Sequence, residues 1–142
     1  TVSLGGWDTH SQTFQAHKSR LMPQLDQTLA ALIADLDDRG VLDSTIVMCA
    51  GEFGRTPKIN AQQGRDHWGA AQTALFAGGG VRGGQVYGAT DKIAAFPTDK
   101  PVSPDDFLAT IYHAMGVDPA AMIRDREDRP HRLCDGRVIE LF

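Results

Sequence analysis

The amino-acid sequence predicts an α/β fold in which a mostly parallel sheet is flanked by helices. Three observations carry this. The segment STIVMCAG, from Ser44, is a continuous apolar and β-branched run, the pattern of a strand buried on both faces. A leucine-faced helical stretch precedes it, and a strand-like segment, TVSL, precedes that helix. Strand, helix, strand is the order of a layered α/β protein, and the chain is expected to form a single domain over residues 1–142.

The elements follow in order. TVSL is a short strand. Residues near 11–39 form a helix, because Leu21, Leu25, Leu29, Leu32 and Leu36 recur at helical spacing and share one face. Ser11 is its candidate N-cap and Gly40 its stop. Pro23 lies inside it and should kink or split it. After the STIVMCAG strand comes a long polar loop, EFGRTPKINAQQGRDHWG. QTALFAGGG reads as a third strand and GGQVYG as a further short one. A helix lies between Pro101 and Gly116, with Ser103 as cap, Pro104 first, and Asp105 and Asp106 at the positive end of its dipole. A last strand is expected at RVIEL.

Composition narrows the function classes. The chain has 142 residues, 42% hydrophobic and 23% charged, enough for one domain with a core. A net charge of −4 and the lack of a basic run argue against nucleic-acid binding. No apolar stretch approaches membrane-spanning length. Cys49 sits in an apolar run and reads as a buried small hydrophobe, and a disulfide to Cys134 is left open by sequence. The chain starts at Thr1 without Met, which points to a fragment or a mature product.

The chemistry concentrates in three polar clusters: GWDTH after the first strand, GEFGRTP after the second, and GRDHW just before the third. Sites in open α/β sheets form beyond the carboxyl ends of strands. Parallel neighbouring strands would bring the first two clusters to one edge, with the third folded over them. Together they offer Asp8, His10, Glu52, Asp66 and His67. Carboxylates and imidazoles in this mixture can hold a divalent ion, whether zinc or calcium/magnesium, and leave positions open for a substrate. Arg55 is then a candidate anion contact, since its guanidinium matches phosphate or sulfate oxygens in a fork.

Each residue also has a plain structural reading. Glu52 could cap a turn, Asp66 and His67 could pair with each other, and Trp7 and Trp68 could be core. His17 reads as a solvated helix face, His113 as a packed histidine, and His131 as exposed. GGGVRGG reads as a tight turn, since it lacks both the P-loop Lys and the order of a dinucleotide fingerprint.

The motifs GWDTH, AGEFGRTPKIN, GRDHW, AGGGVRGGQVYG and VSPDDFLATIYHAMGVDP, with the closing IELF, resemble the C-terminal part of the bacterial domain-of-unknown-function 1501 family. The resemblance covers essentially the whole chain. That family is similar to the alkaline phosphatase and sulfatase superfamily, which implies the C-terminal portion of an alkaline-phosphatase-like fold and a site for one or two metal ions. On this resemblance Asp8 and His10 are a ligand pair and His67 a further ligand. Glu52 stands where the superfamily usually writes Asp-His-Gly. Phe53 cannot ligate there, which leaves Asp66 to fill a second metal position. The segment from Val102 to Val117 resembles a helix of the sulfatases.

The resemblance also implies a longer full-length protein, exported or periplasmic, often through a twin-arginine signal. The superfamily nucleophile lies in the front half and is not in this chain; Thr9 and Thr56 have no evident base beside them. The expected function is therefore a metal-dependent hydrolase of phosphate or sulfate esters, acting on a small anionic ester or a sulfated polysaccharide, with this chain alone inactive. The alternative is a non-catalytic envelope or anionic-polysaccharide-binding protein. An exposed sheet edge would also allow a homo-oligomer.

Overall fold

A computed structural model describes residues 1–142. The first helix begins as α1 (Thr13–Ala16), widens into a π turn (His17–Leu21) and continues as α2 (Met22–Asp38). Pro23 explains the π turn. Its ring crowds the carbonyl four residues back, that of Ser19, and it brings no N–H to the ladder. Widening the preceding turn absorbs the misfit, so the expected kink takes this form. Gly40, with φ +68°, follows the C-terminal residue Arg39 in the left-handed conformation that stops the helix. At the start, the cap position falls on Gln12 rather than Ser11. Ser11 instead pairs with Gln63 in an isolated bridge.

The parallel sheet expected from the sequence does not form. The strands are short and pair two by two, always antiparallel: β1 (Val47–Cys49) with β4 (Leu75–Ala77), β2 (Gly54–Arg55) with β3 (His67–Trp68), β5 (Ala89–Thr90) with β6 (Pro97–Asp99), and β7 (Met122–Arg124) with β8 (Pro130–Arg132). The fold is therefore one long helix with small antiparallel ladders, not an alkaline-phosphatase-like sheet between helices. Two causes are visible. Residues 1–4 pair with nothing and Val2 is 91% exposed, so the helix has no first strand to cross over from. Between β1 and β4, the β2–β3 ladder turns the chain back, and β4 returns antiparallel with Met48 opposite Phe76. Met48 is 45% exposed, so β1 is not covered on both faces.

Burial is sparse. Ten of 142 residues are buried, and the accessible surface is 10139 Å². A compact monomer of this mass would expose about 7,200 Å². On α2 the inward stripe is Leu25, Leu29, Ile33 and Leu36, all half-buried, while Leu32 projects to solvent. Leu21, in the π turn, is fully buried.

The tightest packing surrounds α3 (Pro104–Ala114). Ser103 caps it, as the sequence predicts, and Asp106 answers with its carboxylate on the Ser103 amide to complete a capping box. Thr110 Oγ1 donates to the Asp106 carbonyl at 2.6 Å and accepts the Ile139 amide at 3.1 Å. The Arg137 amide donates to the Asp106 carboxylate at 2.9 Å and, with the cap contacts of Ser103, holds that carboxyl below its usual range. These bonds lay the C-terminal tail along the helix, and Cys134, Ile139 and Leu141 of that tail are buried. The strands expected at GGQVYG and RVIEL do not form: Gly83 and Gly84 lie in a turn, and residues 85–88 and 137–141 join no ladder; in the tail the Arg137 and Ile139 amides are taken by the side chains of Asp106 and Thr110 instead. Cys49 and Cys134 are both free thiols. No helix is long and apolar enough to cross a membrane.

Candidate metal centre

The GWDTH segment is shaped by Thr9. Its amide donates to the Trp7 carbonyl at 2.8 Å, closing a tight turn, and its side chain is buried. Thr13 Oγ1 donates to the Thr9 carbonyl at 2.6 Å and lies 3.0 Å from its hydroxyl. With Thr9 facing inward, its neighbours Asp8 and His10 face out together. Trp7 packs edge-on against His17, with centroids 5.3 Å apart. His17 is accordingly half-buried, not solvated, and burial pulls its imidazole below the ordinary value.

The partner segment arrives through main-chain bonds. Gln12 N donates to Gln62 O at 3.0 Å, Thr13 N to Gln63 O at 3.0 Å, and Arg65 N to Thr9 O at 3.2 Å. Gly64 lies so close to the His10 carbonyl that any Cβ would overlap it. This is why GRDHW opens on a glycine. The β2–β3 ladder then sets Arg55 opposite His67. A Cβ at Gly54 would strike the Ala71 carbonyl, which accounts for the second glycine of GEFGRTP. The three clusters thus meet through antiparallel ladders and loop pairing, not at the edge of a parallel sheet.

Asp8, His10 and His67 converge. Asp8 Oδ1 lies 3.0 Å from His10 Nε2 and 2.8 Å from His67 Nε2, and the two ring nitrogens are 3.1 Å apart. Three donors tetrahedrally disposed about a zinc-like ion would stand about 3.3 Å apart, so these side chains fit such an ion with little adjustment. Their side chains are 66%, 46% and 50% exposed, which leaves further coordination positions facing solvent. Phe53 packs its ring against His67, centroids 4.4 Å apart.

Proton bookkeeping sharpens the case. Asp66 Oδ1 lies 2.7 Å from His10 Nδ1. A carboxylate only accepts, so Nδ1 carries the proton and Nε2 of a neutral His10 carries a lone pair. That lone pair faces a carboxylate oxygen and a second imidazole. Arg55 Nη2 donates to Asp8 Oδ1 at 2.6 Å. The hydrogen bond with His67, then that from Arg55, holds the Asp8 carboxyl down at about 2. Asp66 is likewise lowered, first by His10 and then by Asn60.

The remaining residues singled out by sequence fall around this group. Asp66 touches the outer nitrogen of His10. Arg55 is bonded to Asp8. Glu52 is exposed and stands outside the convergent set. His113 is exposed, with its ring 6.0 Å from that of Phe142, rather than packed inside; His131 is exposed and 3.1 Å from Asp125. Two residues went unnoticed by sequence reasoning. Asn60 Nδ2 donates to the His10 carbonyl at 2.9 Å and lies 3.2 Å from Asp66 Oδ1, while its Oδ1 accepts the amides of Gln62 and Gly64. Its signal was an Asn opening a turn that closes on a Gly. Phe53 was read only as a residue unable to ligate.

A family described as "Protein of unknown function (DUF1501)" matches residues 1–141. The chain belongs to the DUF1501 family. No curated protein and no solved structure matches it. Within this DUF1501 chain, GWDTH and GRDHW are the segments that supply the convergent triad.

Proposed function

We propose that this DUF1501 chain carries the metal centre of a metal-dependent hydrolase of phosphate or sulfate esters. The observation that supports this is the triad itself. Asp8 Oδ1, His10 Nε2 and His67 Nε2 crowd within 3.1 Å of one another. Such a set of lone pairs attracts a cation. A bound divalent ion supplies Lewis-acid stabilisation and lowers the pKa of a bound water.

The chain's own residues account for the rest of the reading. Arg55 spends one donor on Asp8 and a weak one on the Arg65 carbonyl at 3.3 Å, and its remaining donors are available to an ester's anionic oxygens. Phe53 and Arg55, with Gly51, Gly54, Gln72 and Thr73, line an open cavity of about 350 Å³ beside the triad, room for the organic part of a small ester. The similarity to the alkaline phosphatase and sulfatase superfamily, and export to the periplasm, belong to the same proposal and rest on the motif resemblance.

A second reading, a binder of anionic polysaccharide, is favoured by one observation. The Thr9 hydroxyl is turned inward onto Thr13, and Thr56 Oγ1 is engaged by Lys58 O and the Asp66 amide. Neither is free to attack an ester. Elemental mass spectrometry of the purified full-length protein, followed by a panel of aryl phosphates and sulfates and a sulfated-polysaccharide binding assay, separates the two. A stoichiometric divalent ion with ester turnover supports the hydrolase. An ion with polysaccharide binding and no turnover supports the binder. Absence of any ion after incubation with zinc, calcium, magnesium and manganese overturns both.

A further inference from the structure

We propose that Asp66 is a positioning residue rather than a metal ligand: it fixes His10 as the Nδ1–H tautomer and aims Nε2 at Asp8 and His67, with Asn60 holding Asp66 in register. The proposal deepens the metal-centre reading and, for its metal arm, rests on it.

The geometry divides the two faces of the His10 ring. Nδ1 meets Asp66 Oδ1 at 2.7 Å, and Nε2 meets Asp8 Oδ1 at 3.0 Å and His67 Nε2 at 3.1 Å. An imidazole does not offer both nitrogens to one ion, so an acid bonded to Nδ1 stands behind the ring, outside the centre. Histidines that hold metals commonly donate their other N–H to a carboxylate, which sets the tautomer, orients the ring and raises its basicity.

Asp66 is itself fixed from several sides. Its amide donates to Thr56 Oγ1 at 3.0 Å, and its carbonyl accepts the Thr56 amide at 2.9 Å. Asn60 reaches the same Oδ1 that holds His10, and also the His10 carbonyl, so ring, acid and backbone move as one. A residue serving only to tie loops together would not need its carboxylate on the ring nitrogen opposite the triad.

The test begins without metal. Long-range proton–nitrogen correlations on the neutral His10 ring report its tautomer in the metal-free protein. We expect the Nδ1–H form in the parent and in Asp66→Asn, whose side-chain oxygen can still accept, and a shift toward the Nε2–H form in Asp66→Ala. Zinc titration then follows. Asp66→Ala should weaken binding about 10- to 100-fold, Asp66→Asn less, and His10→Ala far more than either. An unchanged tautomer in folded Asp66→Ala overturns the proposal, as does a zinc loss in Asp66→Asn equal to that of His10→Ala, which would make Asp66 a ligand. If the parent protein takes up none of zinc, calcium, magnesium and manganese, the metal reading fails, and the tautomer measurement alone still decides the role of Asp66.

Discussion

Arg55 and His67 share one oxygen: the guanidinium donates to Asp8 Oδ1 at 2.6 Å, and the imidazole Nε2 lies 2.8 Å from the same atom. The carboxylate thereby belongs both to a candidate ligand set and to an arginine that fits an anionic substrate. If Arg55 serves the substrate, Arg55→Lys should keep the ion while losing the forked contact. Hydrolysis should fall about 100-fold, the scale of removing one oxyanion donor. Steady-state kinetics alongside elemental analysis checks this; loss of the ion itself would assign Arg55 to holding Asp8 instead.

The triad makes a second prediction. Asp8→Ala, His10→Ala and His67→Ala should each deplete bound metal sharply, whereas His113→Ala, with its exposed ring beside Phe142, should not. Equal metal content in all four variants would dissolve the assignment.

Gly64 tests the close approach that joins the two segments. Any side chain there meets the His10 carbonyl. Gly64→Ala is expected to cost about 1–3 kcal/mol, the range for overpacking, and to weaken metal uptake in parallel. A urea melt at unchanged midpoint would show that the segments can separate without loss.

Burial predicts a contrast within the helix. Leu21 is fully buried and Leu32 is 42% exposed. Leu21→Ala should cost about 2–5 kcal/mol, and Leu32→Ala under about 0.5 kcal/mol. Chemical denaturation of the two variants measures the difference directly.

The β7–β8 hairpin supplies a pH prediction. The Arg129 amide and guanidinium, then His131 and the Glu127 amide, bring the Asp125 carboxyl down from 3.8 to about 2. A carboxyl lowered on folding stabilises above its unfolded value and loses that contribution as pH falls. The hairpin should therefore hold at neutral pH and loosen as pH drops from 3.8 to about 2, seen as a loss of amide protection at Glu127 and Arg129, measured against the intrinsic exchange rate at each pH. In Asp125→Asn, whose side-chain oxygen can still accept both amides, the protection should show no step in that window.

What the sequence made legible was local. The α3 capping box needs only Ser103, Pro104 and Asp106, which are neighbours along the chain, and Gly40 stops its helix for reasons confined to one turn. The three polar clusters were visible because they combine acids with imidazoles in short loops, and three of their residues do meet. Strand pairing was not legible. The direction in which β1 and β4 pair depends on how 25 intervening residues turn, and the β2–β3 ladder that decides it contains only two residues per strand. Side-chain environment was misread where it depends on distant groups. His17 is covered by Trp7, which precedes the helix, and His113 lies on the open side of α3. Ile33 is half-buried while Leu32 projects to solvent, although helical spacing alone sets Leu32 closer to the line of Leu25, Leu29 and Leu36. Asn60 was passed over because its partners, His10 and Asp66, come from two segments that sequence alone does not bring together.

The latch between residues 9–13 and 62–65 is written in amides and carbonyls. Every amino acid except proline carries both, so the side chain at 62 can drift in chemistry while the imidazoles stay in place; Gln12 and Gln63, with φ 48° and 60°, sit in the left-handed region that narrows the choice there. A proline at 12, 13 or 65 would remove one of its donors outright. Related chains should therefore vary in side-chain chemistry at 62 while avoiding proline at 12, 13 and 65.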